Sequence, residues 1–321
     1  MRNIKYFTFA LLIPLCFNSC KKVIDFDPGE VSPYVVMISR PVNDSLVTVY
    51  LSQSVFFLES NDMYSQYRSI SGASVQLFVN GTAYNGTYQS SDGNTGMFGH
   101  YQFNVRPKAG DSLYVEAVIP GQNEKVTAST RLPMMPKVEI LDIWFDTSEY
   151  YDVKCRVKFK IKGGDAREFY SVSFFSGNQM YNADSNTYYW DTTDAMRSHV
   201  YFNVNDPVVN TVDVSDIIDV DDGSFSGYTM HFTNDKFING EHTFTAYMYM
   251  YSYSNYLIDY YSIPIWMSVS SMSEELYRYQ QSVNDYSNAD EFFSEPVQVL
   301  CNINGGIGIF GGRSQKTIRI Q

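Results

Sequence analysis

Histidine and cysteine are scarce in this chain of 321 residues, which has only four of each. The histidines are scattered, and no two of them form an HExxH or a comparable metal-binding pair. A zinc site would therefore have to be assembled from distant strands, and we predict no cofactor. Each histidine is expected to be an ordinary strand or loop residue: His100, His199, His231 and His242.

Motifs of nucleophilic and phosphate chemistry are also missing. The sequence contains no GxSxG nucleophile elbow and no glycine-rich loop ending in Gly-Lys-Ser or Gly-Lys-Thr. A carboxylate pair for glycoside hydrolysis depends on spacing in three dimensions, and no pair of acidic residues stands out in the sequence. We interpret the chain as non-catalytic and keep a hydrolase as a third alternative.

Positive charge is in deficit, with 23 basic residues against 35 acidic ones and a formal net charge of -12. Phosphate contacts need a clustered basic face, so this balance argues against a nucleic-acid partner. Apolar residues make up 44% of the chain, which is enough to offset the entropy lost on ordering. The length suits roughly two domains of about 150 residues each.

Residues 1–19 are typical of a lipoprotein signal peptide. Arg2 and Lys5 precede an apolar run over residues 6–17, which is too short for a membrane span of about 20 apolar residues. The run ends in Phe17-Asn18-Ser19-Cys20, which resembles the relaxed lipobox of bacterial lipoproteins. The alternative is a plain cleaved signal followed by an incidental cysteine.

The lipobox resemblance implies that Cys20 becomes the new N-terminus and carries acyl chains such as palmitate. Several acyl chains together anchor a protein to a membrane without crossing it. Lys21 stands where inner-membrane lipoproteins have a retaining Asp, so we expect an outer-membrane location, on the periplasmic face or at the cell surface. Residues 20–30 would form the tether.

Short alternating runs fill residues 31–132. Turn sequences such as Asn80-Gly81 and Asn85-Gly86 separate them. Six or seven short strands in about 100 residues predict a β-sandwich of the immunoglobulin-like type, and their order resembles the transthyretin type. The predicted strands span 34–39, 46–51, 73–79, 101–105, 113–119 and 125–132.

Pro133 and Pro136 mark the predicted domain boundary, because they remove backbone donors and interrupt both helix and sheet. Residues 133–136 are therefore the predicted linker, and residues 137–321 the second β-sandwich domain. The fold class is all-β, with two tandem β-sandwich domains and one short helix. The strands predicted after the linker span 138–145, 153–161, 169–175, 199–204, 228–232, 242–252 and 297–301.

The single predicted helix covers about residues 272–286. Ser271 and Glu274 fit a capping box, and Leu276, Tyr279 and Val283 then recur at helical spacing. We expect this helix to cover one end of the second sandwich.

Two of the predicted strands carry chemically distinctive faces. Strict alternation places Lys154, Arg156, Lys158 and Lys160 on one face, which could dock an acidic partner or be a solvated strand face. A later strand alternates tyrosines, which predicts either a cross-strand aromatic ladder or a flat platform for a partner or a sugar ring. These tyrosines are Tyr247, Tyr249, Tyr251 and Tyr253.

An acidic turn and two cysteines are the remaining candidates. Asp219, Asp221 and Asp222 resemble a calcium loop but miss the EF-hand register, so the alternatives are a weak calcium site and an acidic hairpin tip. Cys155 and Cys301 remain once Cys20 is lipidated, and in an oxidising compartment they could form a disulfide or stay unpaired.

The C-terminal segment ends in Glu-Pro-Val-Gln-Val-Leu-Cys-Asn-Ile-Asn-Gly-Gly-Ile-Gly-Ile-Phe-Gly-Gly over residues 295–312. Its glycines favour a turn and a close approach of backbones. The segment resembles the ending of the domain-of-unknown-function 4249 family of Bacteroidota lipoproteins, with Cys301 where that family usually has Ser. The resemblance extends back through the prolines of the linker to the strand at residues 72–77.

This resemblance implies a partner, because members of that family often accompany TonB-dependent outer-membrane transporters. We therefore expect a non-catalytic accessory lipoprotein that captures a ligand of unknown identity for such a barrel. A structural or adhesive surface protein, with tandem sandwiches as a stalk, is the alternative. The resemblance carries over no site residues.

Overall fold

The computed structural model describes residues 33–54, 68–90, 98–122, 124–146, 153–182, 187–203, 205–209, 224–250, 263–288 and 298–321. Tyr34–Gln321 is one compact unit, and it contains all the strands described below. Several predicted features lie outside the described residues: the signal at 1–19, the tether at 20–30 with Cys20, the calcium candidates Asp219, Asp221 and Asp222, and Tyr251 and Tyr253.

The described chain is almost entirely β-structure, which confirms the all-β prediction. The first ten strands are β1 (Val35–Ser39), β2 (Val47–Gln53), β3 (Arg68–Ser69), β4 (Ser74–Val79), β5 (Thr82–Asn85), β6 (Thr87–Gln89), β7 (His100–Phe103), β8 (Ser112–Val118), β9 (Val126–Arg131) and β10 (Lys137–Asp146). The next ten are β11 (Val153–Lys162), β12 (Phe169–Asn182), β13 (Thr187–Ser198), β14 (Val200–Asn203), β15 (Ser224–Gly227), β16 (Met230–Thr233), β17 (Glu241–Met250), β18 (Ile265–Met272), β19 (Ile307–Phe310) and β20 (Arg313–Arg319).

The first β-sandwich packs two sheets around one apolar core. One sheet has the order β19-β1-β2-β7-β6, with β3 beside β2, and the other has the order β5-β4-β8-β9. Alternate residues point inward, as the period of two along a strand requires, so Val35 and Met37 of β1 are buried while Val36 and Ile38 are less so. Phe103 and Leu77 lie in the same core cluster.

The second β-sandwich is built in the same way from later strands. Its sheets have the orders β10-β11-β17-β14-β15 and β13-β12-β18-β20, with β16 beside β12. The predicted alternation of β11 is confirmed on its inner face, where Cys155, Val157, Phe159 and Ile161 are fully buried. Phe159 stacks on Phe244 of β17 with ring centroids 5.2 Å apart.

The strand β19 leaves the C-terminal part of the chain and enters the sheet of the first sandwich. It pairs in parallel with β1, with Met37 opposite Gly308. A Cβ atom at Gly308 would lie 2.1 Å from the carbonyl oxygen of Met37, and its φ is +123°, so only glycine fits there. The glycines of the C-terminal segment thus allow the close backbone approach predicted for them.

The segment just before β19 is not the strand predicted at 297–301, since residues 298–303 have no regular secondary structure. Asn302 takes the place of a strand partner. Its Oδ1 accepts a hydrogen bond from the Phe310 amide at 2.9 Å, and its Nδ2 donates to the Phe310 carbonyl at 2.8 Å. The side chain of Asn302 therefore forms the hydrogen bonds with the backbone of Phe310, where the hydrophobic pattern predicts a strand.

Helix α1 (Glu274–Asn288) is the single α-helix of the described residues. It begins later than the predicted capping box, because Ser271 belongs to β18. Ser273 caps it instead, accepting a hydrogen bond from the Leu276 amide at 3.4 Å on its Oγ. The Cα and Cβ of Leu276 would crowd any Cβ at Gly311, so glycine lets the first turn of the helix rest on the residues that follow β19.

A small apolar cluster fixes the helix between the two sandwiches. Leu276 and Tyr277 of α1 pack with Phe169 of β12, Met272 of β18 and Ile309 of β19. The ring of Phe169 lies 4.8 Å from that of Tyr277. This cluster holds α1 over the outer face of the β12-β18 sheet and leaves a space farther along that face.

Candidate functional site

Strand β18 and the first half of β12, residues 169–174, are buried on both faces, and the second face is lined by serine. On β12 the core residues Tyr170, Val172 and Phe174 alternate with Ser171 and Ser173. Strand β18 supplies the cross-strand partners, Ser270 opposite Ser171 and Ser268 opposite Ser173. All four serines are at most 9% exposed. Because serine is small, this face leaves room beneath the helix.

That room is a cavity of about 430 Å³. The serine face forms its floor, and Tyr279, Gln280 and Val283 of α1 form the opposite wall. A volume of this size suits a small organic molecule, for which pockets of roughly 300 to 1,000 Å³ are usual. Ser173 shares a hydrogen bond with Thr229, with their hydroxyl oxygens 2.9 Å apart, so part of the floor is held in a fixed arrangement.

Three arginines line the cavity, and its described lining includes no carboxylate. Arg313 begins β20 and is half-buried, whereas Arg40 and Arg197 are exposed. Arg197 lies over the ring of Phe175 at 5.7 Å, and Arg40 lies 6.0 Å from the ring centroid of Tyr279. The apolar parts of these side chains are thus supported, while the three positive charges point to one region.

The local structure explains how Arg40 and Arg313 meet although they stand near opposite ends of the chain. The amide of Arg313 donates to the carbonyl of Pro41 at 3.0 Å, and the Asn43 amide donates to the Arg313 carbonyl at 3.3 Å. Asn43 Oδ1 also accepts a hydrogen bond from the Gln315 amide at 2.7 Å. The β1–β2 connection of the first sandwich is therefore fastened to the strand that lines the cavity.

One buried polar atom in this lining, the Nε of Arg313, has no hydrogen-bond partner among the described residues. A buried donor or acceptor without a partner costs about 1–3 kcal/mol, and more when it is charged. Burial lowers the pKa of Arg313, and the charges of Arg197 and Arg40 lower it further. The three guanidinium groups therefore repel one another, which an anion would relieve.

His231 belongs to the same lining and is held neutral. Burial lowers its pKa from 6.5 to about 4. A hydrogen bond with Gln280 acts against this shift, and the positive charge of Arg313 adds to it. A neutral imidazole offers one donor and one acceptor to a ligand. His231 pairs with Ser171 across the strands β16 and β12, so it extends the row of polar side chains on the floor.

The predicted tyrosines of β17 form a packed ladder over the part that the structure describes. Tyr247 is only 6% exposed, and the ring of Tyr201 stacks on it at 4.9 Å. Lys154 places its Nζ 5.0 Å from the ring centroid of Tyr249, and Arg156 lies 4.8 Å from that of Tyr247. These contacts cover the ring faces that a platform would have to present.

The basic stripe of β11 forms ion pairs within its own sheet. Lys160 lies 3.7 Å from Glu139 of β10 and 3.6 Å from Glu241 of β17, and Arg156 lies 3.5 Å from Asp146. The basic partners, Lys160 and Arg156, are partly buried in these pairs. Part of the positive charge of the stripe is therefore neutralised by carboxylates of the same chain.

The two cysteines considered for a disulfide are both free in the structure. Cys155 is fully buried in the core of the second sandwich, where burial raises the pKa of its thiol to about 12. Cys301 is exposed just before β19, with its Sγ 3.8 Å from the carbonyl oxygens of Ile303 and Gly306. Of the two alternatives, the structure therefore has the unpaired one.

The remaining histidines lie apart from the cavity. His242 contacts the carboxylate of Asp206 with its Nε2 at 3.0 Å, and the amide of Val208 donates to the same carboxylate at 2.9 Å, which ties a loop to β17. His199 packs against the ring of Tyr228 at 4.0 Å. Within the described ranges, no three side chains of His, Cys, Asp or Glu come together as a metal site.

Sequence reasoning missed the cavity, although one signal for it was present. The runs Tyr-Ser-Val-Ser-Phe at 170–174 and Met-Ser-Val-Ser at 267–270 alternate apolar residues with serine. A solvent-facing strand usually alternates with charged or longer polar residues, as β11 does. Repeated serine at those positions indicates a second face that is covered but not filled.

In the part of the chain that has described coordinates, no helix is both long and apolar enough to cross a membrane. A comparison with curated protein sequences finds no significant match. A family model, Domain of unknown function (DUF4249), matches residues 21–319, which is almost the whole chain. The matched region includes both sandwiches, the glycine-rich β19 and the cavity lining, so this chain belongs to the DUF4249 family.

Proposed function

We propose that this chain is a lipid-anchored binding protein of the outer membrane, which captures a small ligand and presents it, chemically unchanged, to a TonB-dependent transporter. The cavity beneath α1 is the proposed capture site. The proposed anchor is Cys20, whose surroundings resemble a lipobox. The proposed partner follows from the family resemblance, since related lipoproteins often accompany such transporters.

The observation that carries this proposal is the buried Nε of Arg313, which has no partner among the described residues and lies beside the charges of Arg197 and Arg40. A purely structural junction between two sandwiches would favour paired or apolar side chains, because unpaired buried groups lower stability. Natural proteins leave such groups chiefly where they are used for function. Binding is therefore the role that best explains why the cavity is polar.

The adhesive stalk is the less favoured alternative. A stalk of tandem modules would keep its sandwiches independent, as beads along the chain. In this protein Tyr34–Gln321 is one compact unit, and β19 from the C-terminal part pairs with β1 near its start. This arrangement supports a single rigid body with a site at its junction.

The proposal is tested by immunoprecipitation of the intact lipoprotein from detergent-solubilised outer membranes, followed by mass spectrometry of the bound proteins. We expect a TonB-dependent barrel to co-purify with the wild-type protein. The variant Cys20→Ser should lose its membrane attachment, and little barrel should co-purify with it. Recovery of wild-type lipoprotein without any barrel, from membranes in which such barrels are present, would refute the partnership.

A further inference from the structure

We propose that the cavity beneath α1 recognises its ligand through an oxyanion, a carboxylate or a phosphate group, bound by Arg313 together with Arg197 and Arg40. This inference rests on the proposed function and names the chemical class of what the site captures. It concerns a small polar molecule rather than a polymer, because the ligand must fit a space of about 430 Å³.

Charge is the first step of the argument. The cavity gathers three guanidinium groups in a chain whose formal net charge is -12. Among the described residues, the ion pairs are formed by basic side chains outside the cavity. Examples are Lys160 with Glu241 and Arg278 with Glu274. The mutual repulsion of the three cavity arginines favours an anion and disfavours a cation in the same space.

Hydrogen-bonding capacity is the second step. A guanidinium group is a planar donor with five N–H groups and no acceptor, and it fits the two oxygens of a carboxylate or phosphate. Nε of Arg313 is buried and has no partner within the described residues, so at least one strong donor is available. The main chain of Arg313 is held by the hydrogen bond from its amide to the carbonyl of Pro41.

The rest of the cavity suits a polar body attached to that oxyanion. Ser171, Ser268 and Ser270 bring hydroxyl groups to the floor, and neutral His231 can donate or accept. Gln280, which belongs to the same lining, adds a side-chain amide. A hydroxylated acid is therefore a better match than an apolar acid of the same size.

The test is isothermal titration calorimetry on the intact lipoprotein in detergent at low salt. Three probes distinguish a phosphate, a carboxylate and an uncharged ligand: inorganic phosphate, the sugar acid glucuronate, and neutral glucose. We expect phosphate or glucuronate to bind, glucose to bind at least about tenfold more weakly, and added salt to weaken binding of the anion. The preferred anion would identify a phosphate or a carboxylate ligand.

Matched variants locate the binding. Arg313→Gln should weaken binding of the anion by about tenfold or more, the usual effect of losing a charged hydrogen-bond partner. Arg197→Gln changes an exposed residue, so it should fold normally and still weaken binding by several-fold. Arg319→Gln is the control, because Arg319 is exposed, lies on the same strand and is not part of the cavity lining.

Two results would overturn the inference. One is no detectable heat from either anion up to about 10 mM, a limit beyond which binding would be too weak to matter. The other is equal affinity in the wild type, Arg313→Gln and Arg197→Gln. Either result leaves co-purification of a barrel untouched, so failure of the anion chemistry and failure of the transporter partnership can be told apart.

Discussion

Arg313 carries a positive charge into a half-buried position where the described lining offers no carboxylate. Leaving a charge buried and unpaired typically costs several kcal/mol. The Nε of Arg313 has no hydrogen-bond partner among the described residues. At the scale of single residues, the unpaired group in the cavity lowers the stability of the fold. A binding function explains why it is there.

His231 leads to a prediction about pH. Its imidazole takes up a proton only near pH 4 in the folded protein, compared with about 6.5 for the ordinary group. Between these values the unfolded chain binds more protons, so the free energy of unfolding should fall as the pH is lowered from about 6.5 to 4. The slope is at most about 1.4 kcal/mol per pH unit for one group, and cavity water will reduce it.

The measurement is urea unfolding of the wild type and His231→Gln at several pH values between about 7 and 4.5. Carboxylates also titrate toward the acidic end, and comparing the two proteins removes their shared contribution. The wild type should lose more stability than the variant over this range. Identical slopes would mean that His231 is not held neutral by its surroundings.

At the scale of secondary-structure elements, the C-terminal glycines determine how the helix and β20 are placed. Gly308 lets β19 lie against β1, and Gly311 lets the first turn of α1 approach. Arg313 stands two residues after Gly311, so the same close packing that joins the two sandwiches also sets the position of the cavity arginine. The glycines of the motif that carries the family resemblance therefore have a structural role, which is to position α1 and β20.

Gly308→Ala should lower the free energy of unfolding by about 2–4 kcal/mol, through backbone strain and the clash with Met37. Gly72→Ala is the matched control, because Gly72 does not have a positive φ and its nearest neighbour would lie at 3.8 Å. It should change stability by less than about 1 kcal/mol. Equal effects of the two substitutions in urea unfolding would contradict the role assigned to β19.

The elements that could be predicted from the sequence are those with one apolar and one charged or polar face. The strands β2, β4, β8 and β11 come nearest to that pattern, and the sequence predicts each within about two residues of its observed ends. β18 and β20 were not predicted, because buried serines in one and charged residues in the other hide the pattern of a covered strand. The cavity depends on those two strands, so it could not be derived either.

At the scale of the whole molecule, an acidic protein contains a basic cavity. The formal net charge of -12 opposes the approach of an anion, but this repulsion is screened beyond about 8–10 Å at physiological salt. Inside the cavity, desolvated arginines act at short range with much less screening. Selectivity for an oxyanion is therefore a property of the site and does not follow from the overall charge.

The pairing of β19 with β1 brings together the parts of the chain that line the cavity. Arg40 comes from the first sandwich, Arg197 from the second and Arg313 from the strand that follows β19. Such a site forms only when Tyr34–Gln321 folds as one compact unit. The predicted division at residues 133–136 remains a prediction about sequence organisation, while β19 links the two parts in space.

Native mass spectrometry of the intact lipoprotein, purified from its own outer membrane, tests the central claim most directly. The account predicts a bound small molecule that ionises as an anion, present in the wild type and in Arg319→Gln but lost from Arg313→Gln. The same bound molecule at equal occupancy in all three proteins, with all three folded, would contradict the claim that the cavity beneath α1 captures the ligand through Arg313.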